Sequence, residues 1–138
     1  MEFIEQWERW IPINDLSKKY CIDYILSDSK IFKINLTDIH NAKNKVHIIF
    51  EDSIHAFKWV DEIYRFKKIE KLNKQFGTNF CEEWTFFKVT NSDYLKWISD
   101  QSYGISDDRD LIHFSFIGAN CILDVIDIDP KVEIIEEA

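Results

Sequence analysis

The stretch of sequence that decides the fold is IHFSFIGANCILDVI, residues 112–126. In its first half, apolar side chains alternate with His113 and Ser115. This period of two is typical of a β-strand, in which successive side chains point to opposite faces. Residues 118–120, Gly-Ala-Asn, favour a turn, and the apolar run 121–126 follows them. We therefore predict an antiparallel β-hairpin in this part of the chain.

A second hairpin is predicted nearer the N-terminus. Residues 20–26 and 32–36 both alternate with period two, and residues 28–30, Asp-Ser-Lys, separate them as a turn. Residues 54–60 fit a strand, but they also fit the start of a helix, and the sequence leaves both interpretations open. Further strands are predicted at 46–50, 84–89 and 132–135.

Helical spacing of apolar residues occurs in three places. Residues 61–76 carry an apolar side chain every three or four positions, and Gly77 then supplies a C-terminal cap. Residues 93–103 follow a polar capping stretch, which predicts a second helix. Near the N-terminus, Trp7 and Trp10 recur at helical spacing after an earlier phenylalanine and before the first proline. We therefore also predict a short amphipathic N-terminal helix.

Together these elements predict an α+β fold. Short hairpin connections favour an antiparallel sheet, for which we expect five to seven strands. A helix with one apolar side must bury that side, so we expect the two main helices to pack on the sheet, with the short N-terminal helix beside them. A chain of 138 residues is typical of one domain, and we expect residues 1–138 to form a single globular domain.

The net charge is confined to the C-terminal third of the chain. Residues 92–138 contain eleven Asp or Glu and three Lys or Arg, a net charge of −8 that equals the charge of the whole protein. Residues 43–75 contain eight basic and five acidic residues, a net charge of +3. Such an asymmetry produces a field that acts on charged partners. We expect a basic protein as the partner and no nucleic acid, because the Lys-rich segment is diluted by acidic residues while the rest of the chain repels phosphate.

The acidic residues of this third form two dense groups. Hard cations such as Ca²⁺ bind several carboxylates, but neither group has the glycine and the distal glutamate of an EF-hand loop. The plain interpretation of residues 107–110 is a solvated acidic loop, and our hypothesis is that both groups are parts of a surface that binds the basic partner. The predicted partner-binding residues are Asp107, Asp108, Asp110, Asp124, Asp127 and Asp129.

His113 supports an alternative hypothesis. It shares a strand face with Ser115, and Asp124 lies on the neighbouring strand of the predicted hairpin. A hydroxyl, an imidazole and a carboxylate resemble part of a nucleophilic site, which would make the protein a small enzyme or a ligand-binding domain beside an aromatic pocket. The chain has no GxSxG nucleophile elbow, so a hydrogen-bonded structural pair is the favoured interpretation and we lean against an enzyme.

Metal and cofactor sites are not indicated. None of the histidines has HExxH spacing, and Cys21, Cys81 and Cys121 are widely spaced without a CxxC motif. We expect reduced thiols, no metal and no cofactor. The first residues lack the basic region and long apolar stretch of a signal peptide, and no stretch approaches the length of a membrane-spanning helix. These features favour a cytoplasmic protein without membrane contact.

Residues 83–97, EWTFFKVTNSDYLKW, are followed by QSYGI at 101–105, and together they resemble a group of small uncharacterised bacterial proteins. In size and charge such proteins are similar to immunity proteins, which neutralise a cognate toxin by binding it. The resemblance implies a non-enzymatic inhibitor of a basic toxin or another basic protein, and it supplies no catalytic residues. Over residues 46–134 the shared pattern also includes HF at 113–114, LDVI at 123–126 and PKV at 130–132.

Overall fold

The computed structural model describes residues 4–51 and 54–136, apart from the side chains of residues 108 and 136. Within these residues the chain forms nine strands and two α-helices. The strands are β1 (Gln6–Arg9), β2 (Tyr20–Ser27), β3 (Ile31–Asp38), β4 (Asn41–Glu51), β5 (Ala56–Asp61), β6 (Phe86–Thr90), β7 (Ile112–Ile117), β8 (Cys121–Asp127) and β9 (Lys131–Glu136), and the helices are α1 (Phe66–Phe76) and α2 (Asp93–Gln101).

The strands form two antiparallel sheets. One has five strands in the order β1-β6-β7-β8-β5, and the other has four in the order β2-β3-β4-β9. Aromatic side chains join the sheets face to face: the rings of Phe50 and Phe114 lie 5.4 Å apart between centroids, as do those of Tyr20 and Phe86. All four of these side chains are at most 1% exposed. The main core therefore lies between the two sheets.

The two helices cover the opposite face of the five-stranded sheet. Leu72 of α1 is buried in the core cluster, and the ring of Tyr94 in α2 packs edge-on against His113 of β7. The five-stranded sheet is thus a middle layer. As a consequence all seven residues of its strand β8 are buried.

The prediction of one sheet in an α+β fold is wrong, because the described chain is mostly β and its strands divide into sheets of five and four. Alternating apolar residues identify a strand but not the layer that covers its apolar face. Phe114 faces the four-stranded sheet, whereas His113 next to it faces the helices. Both predicted hairpins, β2–β3 and β7–β8, are confirmed. The strand pattern alone did not reveal that they lie in different sheets.

Strand β1 replaces the predicted N-terminal helix, which is also wrong; Phe3 lies outside the described residues. In a helix, Trp7 and Trp10 would share one face, but in an extended chain they point to opposite faces. Trp7 packs on Phe87, with ring centroids 5.8 Å apart, and Trp10 packs on Phe114 at 4.9 Å. Because both faces of the middle sheet are covered, each tryptophan finds an apolar partner on its own side.

The open interpretation of residues 54–60 resolves as strand β5. The first predicted helix is shorter than expected, because residues 62–64 form a 3₁₀ turn before α1 begins at Phe66. The second helix ends at Gln101 rather than at residue 103, since Tyr103 and Gly104 both have positive φ angles.

Lys19 joins three parts of the fold. Its ammonium donates to the backbone carbonyl oxygens of Cys81 at 2.6 Å, Trp84 at 3.3 Å and Ile117 at 2.6 Å. The residue is only 9% exposed, and burial lowers the pKa of Lys19 to about 8. These contacts tie the start of β2 to the segment before β6 and to the end of β7.

Replacing Lys19 by Met should lower the free energy of unfolding by about 3 kcal/mol, because buried carbonyl groups lose their donor. Urea denaturation of the wild type and of Lys19→Met measures this loss. The matched control is Lys18→Met at the neighbouring exposed position, which should change the free energy by no more than about 0.5 kcal/mol. Equal losses in the two variants would show that the three carbonyl contacts contribute nothing specific.

Candidate functional site

The chemically richest cluster lies on the helical face of the middle sheet. His113 Nε2 lies 2.7 Å from Asp124 Oδ1, and His113 Nδ1 lies 2.6 Å from the hydroxyl oxygen of Ser92. Strands β7 and β8 place the first two residues side by side, and Ser92 precedes helix α2. The hydrogen bond between His113 and Asp124 is the pair that the sequence predicted. Ser92 was not part of that prediction, because it is remote in sequence and only the sheet pairing brings it close.

The second oxygen of Asp124 faces two cations. Arg65 Nη1 lies 3.1 Å from Oδ2, and Lys58 Nζ lies 4.0 Å from it. Burial alone would raise the pKa of this carboxyl group, but the hydrogen bond and charge of His113 and the charges of Arg65 and Lys58 outweigh burial and lower the pKa of Asp124 to about 2. Asp124 is therefore an ionised group that is fully paired inside the protein.

Ser92, His113 and Asp124 form a chain of hydrogen bonds with the residue types of a hydrolytic triad. Their burial and their other contacts indicate a structural role. The three residues are 3%, 3% and 1% exposed, so a substrate has no direct access to the hydroxyl group. That hydroxyl oxygen also accepts the backbone N–H of Leu95 at 3.0 Å, which makes Ser92 the N-cap of α2. A nucleophile has to be reachable by its substrate, whereas a helix cap does not.

The predicted aromatic pocket is filled by the protein itself. The rings of Trp7 and Tyr94 pack edge-on against His113, with centroids 6.1 and 5.7 Å away. Ser115 is buried opposite Asp124 in the strand register, and its hydroxyl group has no hydrogen-bond partner among the described residues. The structure therefore brings His113 and Asp124 together but does not join Ser115 to them.

The six predicted partner-binding aspartates do not form one surface. Asp124 is committed to the buried cluster, and Asp127 is 1% exposed with its Oδ1 3.2 Å from His55 Nδ1. Asp129 has a side chain that is 73% exposed, and its Oδ1 lies 3.6 Å from Lys88 Nζ. Neighbouring positions in a strand point to opposite layers, so closeness in sequence did not place these acids together.

The other three aspartates belong to the segment that contains and follows α2. Asp107 and Asp110 are exposed, and the side chain of Asp108 lies outside the described part of the structure. Asp107 Oδ1 accepts a hydrogen bond from the Ser99 hydroxyl group, with 2.6 Å between the two oxygens. This bond holds a 3₁₀ turn at 105–108 against the helix. Asp107 and Asp110 are thus exposed where a partner can reach them.

Large apolar side chains are exposed among these acids. Trp97 is 57% exposed, Ile105 is 64% exposed and Tyr103 is 97% exposed. Tyr103 was not singled out from the sequence, although a tyrosine directly before Gly104 at the end of the predicted helix was a visible signal. We combine these three residues with three exposed acids that follow Trp97 and call the set the 93–110 surface; its members are Trp97, Asp100, Tyr103, Ile105, Asp107 and Asp110.

Among the described residues, no group of three or more His, Cys, Asp or Glu is arranged to hold a metal ion. No helix within residues 4–51 and 54–136 is long and apolar enough to cross a membrane.

Comparisons with models of protein families, with curated proteins and with solved structures find no match to this chain. The resemblance to small bacterial immunity-type proteins therefore stays a prediction.

The lowered pKa of Asp124 predicts how stability depends on pH. The group binds its proton more weakly in the folded than in the unfolded state, so its stabilising effect is present above about pH 4 and is lost as the pH falls towards about 2. The difference corresponds to about 2 kcal/mol. Urea denaturation between pH 2 and 7 should show this loss in the wild type, and the loss should be smaller by that amount in Asp124→Asn.

Asp110→Asn serves as the control, because it removes an exposed aspartate without touching the buried cluster. It should keep the pH dependence of the wild type. If Asp124→Asn kept the same dependence as well, the buried cluster would not hold Asp124 in its ionised form.

Proposed function

We propose that this protein is a non-enzymatic protein-binding domain that docks its 93–110 surface onto a basic protein, as an immunity-type inhibitor does with a basic toxin. The observation that carries the proposal is Tyr103, a large aromatic side chain that is 97% exposed and lies between acidic residues. Tyrosine and tryptophan are the residues that most often anchor protein interfaces, with polar groups around them. Tyr103 and Trp97 are the proposed anchors.

The charge of the segment supports a basic partner. Residues 93–110 contain five aspartates against one lysine and one arginine, a net charge of −3. Charges at the rim of an interface mainly accelerate association and select the partner, while apolar anchors slow dissociation. A surface with both kinds of residue is suited to fast and lasting binding.

The backbone at Tyr103 forms a defined turn from which the ring projects. Its φ angle is 53°, in the left-handed region that bulky residues seldom adopt. Hydrogen bonds from the N–H of Tyr103 to Asp100 O at 3.2 Å and from the N–H of Gly104 to Ser99 O at 2.8 Å hold this turn. A backbone turn that is formed before binding loses less conformational entropy when the partner arrives.

An enzymatic function remains the second proposal, and the hydrogen-bonded order of Ser92, His113 and Asp124 is the observation that favours it. It requires an opening movement that exposes Ser92, and the capping bond to Leu95 opposes such a movement. Reaction with a serine-directed phosphonate that disappears in Ser92→Ala would support this second proposal.

We also propose a cytoplasmic location, because the three cysteines are free thiols and Cys81 and Cys121 are buried.

The binding proposal is tested by replacing Asp107, Asp108 and Asp110 together with Asn. The association rate with the basic protein that co-purifies with the tagged chain should fall at least about 10-fold at low salt, and its dependence on ionic strength should become weaker. The free energy of unfolding should change by no more than about 1 kcal/mol for each of Asp107 and Asp110, because exposed charges contribute little. Stopped-flow or surface-based kinetics at two salt concentrations measure the rates.

A triple variant with the same change in net charge provides the matched control: Glu8→Gln, Glu70→Gln and Glu133→Gln lie at exposed positions outside the 93–110 surface. It should retain most of the association rate. Tyr103→Ala should leave the association rate within about 3-fold and raise the dissociation rate at least about 10-fold. If both triple variants slowed association equally and Tyr103→Ala had no effect, the proposed surface would be wrong.

A further inference from the structure

A separate small cleft lies where the end of β4 meets the turn between β8 and β9. Its volume is about 210 Å³, and its charged lining residues are Glu51, Asp127, Asp129 and Lys131. Since one water molecule occupies about 30 Å³ in the liquid, this space suits a few waters or one polar side-chain head. The cleft lies at an end of the inter-sheet core, on the opposite side of β8 from the buried His113 cluster.

The carboxylate of Asp127 is incompletely satisfied. Its Oδ1 accepts the backbone N–H of Ile128 at 2.7 Å and lies 3.2 Å from His55 Nδ1. Its Oδ2 is buried and has no hydrogen-bond partner among the described residues. A buried polar atom without a partner is destabilising, and a charged one is more so. Asp124, on the other face of the same strand, has both of its oxygens paired.

The other charges of the cleft are already balanced. Lys131 Nζ lies 2.7 Å from Glu51 Oε1, and Lys88 Nζ lies 3.6 Å from Asp129 Oδ1. Among the described residues, His55 is the one basic side chain within 4.0 Å of the Asp127 carboxylate. The cleft therefore has a buried anionic group with a free acceptor atom, and its one lining lysine among the described residues, Lys131, is paired with Glu51 instead.

We propose that this cleft binds an organic cation, a guanidinium or ammonium head that donates to Asp127 Oδ2. A guanidinium group carries several N–H donors in a plane and forms charge-assisted hydrogen bonds with carboxylates. Apolar residues also line the cleft, among them Ile49 and Ile128, and would contact the methylene stem of such a group. The cleft is distinct from the 93–110 surface, so the inference does not depend on the proposed function.

Entry of the cation requires movement of a covering group, because both the Asp127 side chain and its free oxygen are shielded from solvent. The side chain of His55 is 35% exposed and contacts the carboxylate, so it is the group that can turn outwards. The imidazole contacts Oδ1, so its outward turn uncovers the carboxylate while the incoming cation donates to the free Oδ2.

The test uses N-acetyl-arginine methylamide, followed by NMR with ¹⁵N-labelled protein. The wild type should show saturable shifts of the Ile128 amide and its neighbours. The capped citrulline analogue, which has nearly the same shape without the charge, should show none. Asp127→Asn should weaken binding at least 10-fold, whereas Asp107→Asn, the same change on the 93–110 surface, should leave it unchanged. Absence of saturable shifts in the wild type, or equal affinity in Asp127→Asn, would overturn the proposal.

Two further measurements keep the proposal testable if Asp127→Asn fails to fold. His55→Ala should strengthen binding, because the ligand no longer has to displace the ring, and weaker binding would contradict the proposal. In the saturated wild-type complex, nuclear Overhauser contacts should join the δ-methylene protons of the ligand to the methyl groups of Ile49 and Ile128. Their absence would also overturn the assignment of the cleft.

The origin of the natural cation is decided by comparing two probes. Capped arginine imitates a side chain of a protein partner, while N-butylguanidine is a free guanidinium compound with the same single charge and without the surrounding peptide groups. Tighter binding of capped arginine assigns the cleft to a protein side chain, and tighter binding of N-butylguanidine assigns it to a small molecule. Both results support the cation site, and binding of neither overturns it.

Discussion

Strand β8 lies between two covering layers, and the rest of the structure depends on how its buried aspartates are satisfied. All of its residues are buried, and two of them, Asp124 and Asp127, carry carboxylates. An ionised group inside a protein is tolerated when it is paired and hydrogen-bonded, and removing one partner is strongly destabilising. Asp124 faces the helices and Asp127 faces the second sheet, so the two carboxylates need hydrogen-bond and charge partners from different layers.

On the helical side both oxygens of Asp124 are paired, and their partners also connect separate elements of the fold. Asp124 draws together Arg65 at the start of α1, Lys58 on β5 and His113 on β7, and His113 in turn holds Ser92 at the start of α2. One buried carboxylate thus fixes where both helices begin relative to the sheet. A fully connected polar network of this kind favours one arrangement of the layers, because any other arrangement would leave a charge unpaired. On the side of the second sheet, Asp127 keeps a free oxygen, and that difference is the basis of the proposed cation site.

Local chemistry explains which parts of the structure could be predicted from the sequence. The hairpins β2–β3 and β7–β8 have strong alternation and polar turns, and they form as predicted. The division into two sheets depends on long-range pairing such as β4 with β9, which no local pattern encodes. The pair His113–Asp124 was predictable because a short hairpin brings the two residues together, whereas Ser92 was not. Tyr103 was missed because helical periodicity indicates buried positions and says little about exposed ones.

The acidic residues of the C-terminal third therefore fall into separate classes. Asp124 is structural, Asp127 lines a cleft, and Asp107 and Asp110 are exposed beside Tyr103 and Trp97. The Lys-rich helix α1 provides a contrasting surface on the same protein. The net charge of −8 marks the acidic third as a whole, but only the structure separates acids that stabilise the fold from acids that are free to meet a partner.

The most direct measurement is amide hydrogen exchange with and without the co-purified basic protein. If the protein binds through its acidic and aromatic segment, residues 93–110 should become protected in the complex while α1 exchanges as before. Protection of α1 with unchanged exchange over residues 93–110 would contradict the account.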